Sequence, residues 1–353
     1  SEQFGKEHGE IFQAHLMMLD DVAFREDIER RLRRTLIKRG IGDDEPVDAS
    51  FAVEARFRVQ PPNTWGVDVG RHSPDVSGGA WGYDPPLKNE ADFDALRMPE
   101  YVYDEQGTKL LMERTEEALG GALPVKAVCG APISATLGTY AAELRGLSQM
   151  MLDMAAEPRL MHRLMAHIRD AALRSMEQVE AAGALTPNNT GPMVESEPVG
   201  SPGPGGKYSF RNLWCMANSQ EFDQVSPAMW REFCLDYQLP VFEKFGLIGY
   251  GCCENLTHKI DGVLTIPNLR IFVCSAWTNL DKVIEKVGGK HVIMWRQKAS
   301  EVVFPDDTAS IRRHLREGAG KLQGLHYQVV LRELQTLAGH ADRLHEWTRL
   351  AIE

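Results

Sequence analysis

From about residue 123 the chain alternates short apolar runs with helical segments, and no other feature constrains its fold as strongly. The runs are ALPVKAVCG (122–130), the weaker GALTPNN (183–189), GLIGYGCCE (246–254), LRIFVCS (269–275), HVIMWR (291–296) and HYQVVLRE (326–333). Helical periodicity separates them, from about Tyr140 to Ala182 with a break near Glu157–Pro158, then over about Pro227–Phe245, Leu280–Val287 and Thr308–Leu322. Strands joined through helices of ten or more residues must lie parallel, because a tight hairpin can connect only antiparallel neighbours. Upstream, AVEARFRV (52–59) alternates like a half-buried strand. The strand count approaches eight, which predicts an α/β fold of the (β/α)8 TIM-barrel type; an open doubly wound sheet is the alternative. Apolar residues at helical spacing (Ile11, Leu16, Met17, Val22, Ile28, Leu32 and Leu36) predict a helix over the first forty residues. The expected organisation is an N-terminal helical extension over 1–50 and one barrel over 51–353. Residues 60–84, rich in Gly, Pro, Asn and Trp, read as a long loop or lid, in which His72 with Arg71 and Asp75 could serve.

Charge narrows the partners. The chain has 39 basic and 50 acidic residues, a net charge of −11, so it lacks the basic footprint of a nucleic-acid binder. The run Arg30-Arg31-Leu32-Arg33-Arg34 reads as a solvated helix face. No apolar stretch is long enough to span a bilayer, and the first residues are polar, so a cytoplasmic protein with no membrane partner is expected. The six cysteines of such a chain are expected to be reduced. A homodimer is compatible with all of this.

In a barrel the chemistry sits at the carboxyl ends of the strands. Here those ends carry Asn188 and Asn189, then Cys252, Cys253 and Glu254, then Cys274 and Ser275, then Arg296, Gln297 and Lys298, and finally Glu333. Thiolates are strong ligands for zinc, commonly mixed with carboxylate or imidazole. One candidate metal set is Cys252 or Cys253, with Glu254 or Glu221, plus Cys274. Strand alternation turns only one of the adjacent thiols toward the barrel mouth. The alternative is two ordinary buried thiols and a helix-capping Glu254. His258, four residues after Glu254, either completes a metal set or lies on the surface, and His326 begins a strand at the wrong end for chemistry. Arg296 and Lys298 would hold a carboxylate or phosphate, or form a solvated pair. GSPGPGGK (200–207) lacks the order of a phosphate loop, since Tyr208 follows Lys207.

The segments QEFDQVSPAMWREFCLDYQLPVFEKFGLIGYGCCENL (220–256) and IPNLRIFVCSAW (266–277) resemble the uroporphyrinogen decarboxylase superfamily. More narrowly, they resemble a decarboxylase-like branch carrying Tyr-Gly-Cys-Cys-Glu. The similarity runs loosely from Tyr83-Asp84 to the C-terminal LHEWTRLAIE and is strongest over 220–277. It implies a (β/α)8 barrel and one of two chemistries. The decarboxylases grip substrate carboxylates with an Arg-Gln-Ala-Gly-Arg motif, which ARFRVQPPNTWG (55–66) does not match. The related corrinoid-dependent methyltransferases bind zinc through a His-x-Cys pair and a later Cys. That pair aligns with Tyr250-Gly251-Cys252, and no Cys lies near HYQVVLRE, so only Cys252 carries over.

The resemblance therefore implies a corrinoid-linked, zinc-dependent methyltransferase, a demethylase of a small methylated metabolite such as a methyl ether. It would work with a cobamide carried on a partner corrinoid protein. In that scheme Cys252, Cys253 and Cys274 supply metal ligands, and Glu221 or Glu254 ligates metal or manages the proton. Tyr250 hydrogen-bonds the small-molecule substrate, for which Asn188, Asn189, Arg296 and Lys298 form the binding set. Two other readings are a metal-independent decarboxylase of a small carboxylated substrate and a non-catalytic barrel scaffold.

Overall fold

The computed structural model describes residues 22–45, 47–72, 82–189 and 197–353. The expected helical positions Ile11, Leu16 and Met17, and Asp75 of the anticipated lid, lie outside these. The strands are β1 (Phe51–Glu54), β2 (Phe57–Gln60), β3 (Gly70–His72), β4 (Gly82–Asp84), β5 (Glu100–Tyr103), β6 (Val125–Val128), β7 (Trp214–Ala217), β8 (Leu247–Tyr250), β9 (Leu269–Cys274), β10 (Val292–Gln297) and β11 (Tyr327–Leu331). The last five form one parallel sheet in chain order, and β1 pairs β6 in parallel. The single strand anticipated over 52–59 is two: β2 turns away from β1 and pairs β5 antiparallel. Not anticipated from the sequence are β5, β7, the short antiparallel β3–β4 pair within the expected loop, and the helices Glu105–Leu119 and Arg343–Ile352.

Residues 184–188 link the two parallel sheets. The Thr186 amide donates to the Cys129 carbonyl at 3.1 Å, and the Thr186 hydroxyl accepts from the Cys129 amide at 2.8 Å. On the other side the Asn188 side chain donates to the Trp214 carbonyl at 2.8 Å and accepts from the Trp214 amide at 2.9 Å. A regular ladder fails here because Pro187 has no amide hydrogen to give, and the Asn188 amide group substitutes for it. Eight stations thus follow one another in chain order: β1, β6, residues 184–188, and β7 to β11. Among the described residues no ladder joins β11 to β1. The chain is an α/β fold built on parallel sheets.

Alternation along each strand sorts side chains between two faces. Cys215, Ala217, Ile248, Tyr250, Phe272, Cys274 and Ile293 join the large core shared with helical residues such as Leu164, Ile168 and Val283. The opposite face gathers Trp214, Ile271, Val273 and Met294 with Met216, Leu247, Val292 and Val330. Arg296 is in phase with Val292 and Met294 and so falls on this second face.

The helical expectations hold in outline. The 140–182 segment is three helices, Leu137–Arg145, Leu147–Ala156 and Pro158–Ala182, broken at Gly146 (φ 86°) and at Pro158. Pro227–Trp230 and Asp236–Phe242 flank a π-turn over Arg231–Leu235, and Pro240 sits within the second of these helices. Leu280–Val287 forms as expected, and Ala309–Leu322 closely so. The N-terminal helix Val22–Ile41 buries Ile28 against Phe51, Val53, Ala118 and Leu119. No helix among the described residues is long and apolar enough to cross a membrane.

Packing of the helical layer sets one tight contact. Trp295 points to the helix side of β10, and a Cβ on Gly318 of helix Ala309–Leu322 would lie 2.0 Å from its ring. Alanine in an exposed helix would stabilise by about 1 kcal/mol over glycine. Here the rigid indole must move instead, so Gly318→Ala should destabilise the protein by about 1–3 kcal/mol. Urea unfolding measures this, and a rise in the midpoint would show that Trp295 yields freely.

Candidate functional site

The loop after β8 carries the site, and a buried carboxylate fixes it. Gly251 bends the chain with φ 116°, a value that favours glycine. Glu254 then turns back: its Oε2 accepts from the Cys252 amide at 2.9 Å, and its Oε1 accepts from the Ser219 amide at 2.8 Å. Its carbonyl accepts from the Ser275 hydroxyl at 2.8 Å and from the Thr278 hydroxyl at 3.3 Å. One residue thereby ties together the loops after β7, β8 and β9. Burial pushes the Glu254 carboxyl above its ordinary range, while the amides it accepts from pull it back.

Above this clamp lie the adjacent thiols, both partly exposed, with Sγ atoms 3.6 Å apart. The Cys253 thiol donates to Glu333 Oε1 at 3.0 Å. Arg296, 1 % exposed, donates through Nη1 to the Cys252 carbonyl at 2.8 Å and to Glu333 Oε1 at 3.2 Å, with Cys252 Sγ 3.7 Å away. Among the described residues the other edge of its guanidinium, Nε and Nη2, is buried without a partner, as is Glu333 Oε2. Glu333 itself has φ 60°, a left-handed conformation costly for a side chain with a Cβ. Burial, then Glu333, push the Cys253 thiol up to about 12, so it is protonated at neutral pH.

The other expected site residues go elsewhere. Tyr250 is fully buried on the helix side of β8 and donates to Gln238 Oε1 at 3.0 Å, so it does not reach substrate. Cys274 is fully buried on the same side, 3.9 Å and 3.7 Å from the Ser275 and Thr278 carbonyls, and burial pushes it up to about 12. Both corrections have one cause, the period-two alternation that sends these residues into the helical core. Asn188 spends both ends of its amide on Trp214, Asn189 is half-buried, and Lys298 is exposed. Glu221 accepts from Thr139 at 2.7 Å, and its Oε2 is buried near Gly138 with no partner among the described residues. His258 and His326 are exposed, and so is His72.

These residues do not fit the expected zinc. Among the described residues no three His, Cys, Asp or Glu side chains are gathered to hold a metal ion. Cys274 faces away, and the Arg296 guanidinium already supplies the positive charge between Cys252 and Glu333. Glu333 was legible only as the last polar residue of a strand end, with no role attached to it. Its pairing with Arg296 joins β10 to β11, which no local motif encodes.

The fold and site define an α/β protein with a thiol- and arginine-bearing centre at the carboxyl ends of parallel strands. Residues 65–188 match the uroporphyrinogen decarboxylase (URO-D) family. Uroporphyrinogen decarboxylase of Myxococcus xanthus (strain DK1622) is 33% identical over 125 residues, 33% of this chain and 32% of that protein, so the match spans about a third of the relative. A methyltransferase from Methanosarcina mazei has a TM-score of 0.42 at 12% identity over 72% of each chain, a likeness too loose to argue from. Over residues 65–188 the chain is thus similar to the uroporphyrinogen decarboxylase family, the family that its sequence resembles. The family match ends before Cys252.

A thiol pushed up to about 12 has a very small thiolate fraction, so Cys253 should react with iodoacetamide at pH 8 on the order of 10³-fold more slowly than a free cysteine. Glu333→Gln should speed it by removing the adjacent carboxylate. Alkylation followed by peptide mass spectrometry in a Cys252→Ser background reads both rates, and free-thiol reactivity in the unmodified Glu333 protein would refute the arrangement.

Proposed function

We propose that the chain is a decarboxylase acting on a small substrate with at least two acidic groups, one of them held by Arg296. The observation that carries this reading is the buried guanidinium edge, whose two donors have no partner among the described residues. Leaving such groups buried and unmet costs about 1–3 kcal/mol each, and a carboxylate meeting Nε and Nη2 side-on satisfies both at once. The reading includes a (β/α)8 barrel, supported by the eight stations in chain order, with Arg296 at the carboxyl end of β10.

A carboxylate gripped this firmly is stabilised against loss, since binding the ground state as tightly as the transition state gives no acceleration. The anion on Arg296 is therefore the one that stays, and it orients a second carboxylate for cleavage. The carbon–carboxyl bond breaks, carbon dioxide leaves, and the electron pair stays on the substrate carbon. The Cys253 thiol is the proton donor within the site; its proton closes the new C–H bond, and solvent restores the thiol. In the resting site Glu333 holds that S–H by accepting from it, and the thiol must turn from Glu333 to the carbanion as the carbon–carboxyl bond breaks.

Zinc-dependent, corrinoid-linked methyl transfer is the competing reading, and it draws on the two thiols 3.6 Å apart. Carbon dioxide release should be assayed over a panel of di- and polycarboxylates, uroporphyrinogen included, with and without chelator. The expected result is release unaffected by chelation and reduced at least a hundredfold by Arg296→Gln, on the scale of losing one charge-assisted bidentate contact. Methyl transfer to added cobalamin that requires zinc, with no carbon dioxide released, would overturn the decarboxylase.

A further inference from the structure

Glu333 is the second half of a recognition pair, and its unused oxygen narrows the substrate. Three observations meet on this residue. Its Oε1 is fully engaged, taking the Cys253 thiol at 3.0 Å and Arg296 Nη1 at 3.2 Å. Its Oε2 is buried with no partner among the described residues. Its backbone is held at φ 60° although it is not a glycine, a cost the surrounding structure maintains. The residue is thus fixed at its backbone and at one oxygen, leaving the other free for a ligand.

The chemistry of that oxygen is the opposite of its neighbour's. Arg296 Nε and Nη2 can only donate, and an ionised carboxylate oxygen can only accept. The two groups touch through Nη1 and Oε1, so the unpartnered donors and the unpartnered acceptor belong to one ion pair. We infer that Glu333 Oε2 reads a hydroxyl or ammonium on the carbon beside the carboxylate held by Arg296, which places the substrate among the 2-hydroxy or 2-amino acids. This rests on the Arg296 reading above and adds to it. A plain acid would satisfy the guanidinium and leave Oε2 buried and unmet. A 2-oxo acid would set its carbonyl oxygen against that carboxylate. Discrimination arises because a site built to accept a hydrogen bond rejects the analogue that lacks the donor.

The test is equilibrium binding to the whole protein by calorimetry, with five-carbon probes that differ only at the second carbon: 2-hydroxyglutarate, glutamate, glutarate and 2-oxoglutarate. The expected order places the hydroxy or the amino acid about tenfold or more above glutarate, with the oxo acid weakest. Whichever of the two donors binds tighter identifies the substrate subclass. Glu333→Gln should reduce the preference over glutarate to within threefold and raise 2-oxoglutarate, because an amide can donate. Arg296→Gln should abolish binding of all four. Equal affinity of the wild-type protein for glutarate and the donor-bearing acids would overturn the role of Glu333 while leaving the Arg296 site standing. Absence of binding by every acid would overturn both. The wild-type ranking alone decides the matter if Glu333→Gln fails to fold.

Discussion

The Glu254 carboxylate is the knot on which the carboxyl edge of the sheet depends. Loops after parallel strands have no ladder to hold them, so their amides need partners from elsewhere. Glu254 supplies two oxygens to amides of two different loops and a carbonyl to hydroxyls of a third. A neutral amide in its place would turn a donor toward one of those N–H groups. The cost is a carboxylate buried at 3 % exposure, which the charge-assisted bonds offset. What the clamp gains is position: it pins the Cys252 amide, and Cys252 in turn presents the carbonyl on which Arg296 rests. Glu254 was anticipated as a ligand or proton carrier, but its oxygens are committed to holding the loops.

Much of the architecture could be read from periodicity. Runs such as LRIFVCS and HVIMWR are long enough for alternation and apolar content to agree, and β9 and β10 follow them closely. Trp214–Ala217 was missed because four residues preceded by a Gly/Pro-rich loop carry too little pattern. The GALTPNN run shows the reverse case, a correct position whose ladder Pro187 prevents. Site residues were harder. The polar residues gathered from strand ends lie on both faces of the sheet. Alternation, applied strictly, separates them: Arg296 shares phase with Met294, whereas Cys274 shares phase with Phe272.

Adjacent cysteines and a carboxylate invite a metal, yet the same three groups can be organised by an arginine. A divalent ion demands deprotonated ligands at short distances and converging lone pairs. A guanidinium demands acceptors around its plane and leaves thiols protonated. Here the Cys253 thiol donates its proton to Glu333, and the Glu333 oxygen that receives it also receives Arg296 Nη1. Burial and the carboxylate both act to keep that proton in place. A protonated thiol, a carboxylate that accepts from it and a fixed cation form a self-consistent set. Substituting a metal would require expelling the thiol proton and breaking the ion pair together. Arg296 cannot follow by deprotonating, so its charge would remain buried beside the ion. On the proposed reading the centre receives an anion rather than holding a cation.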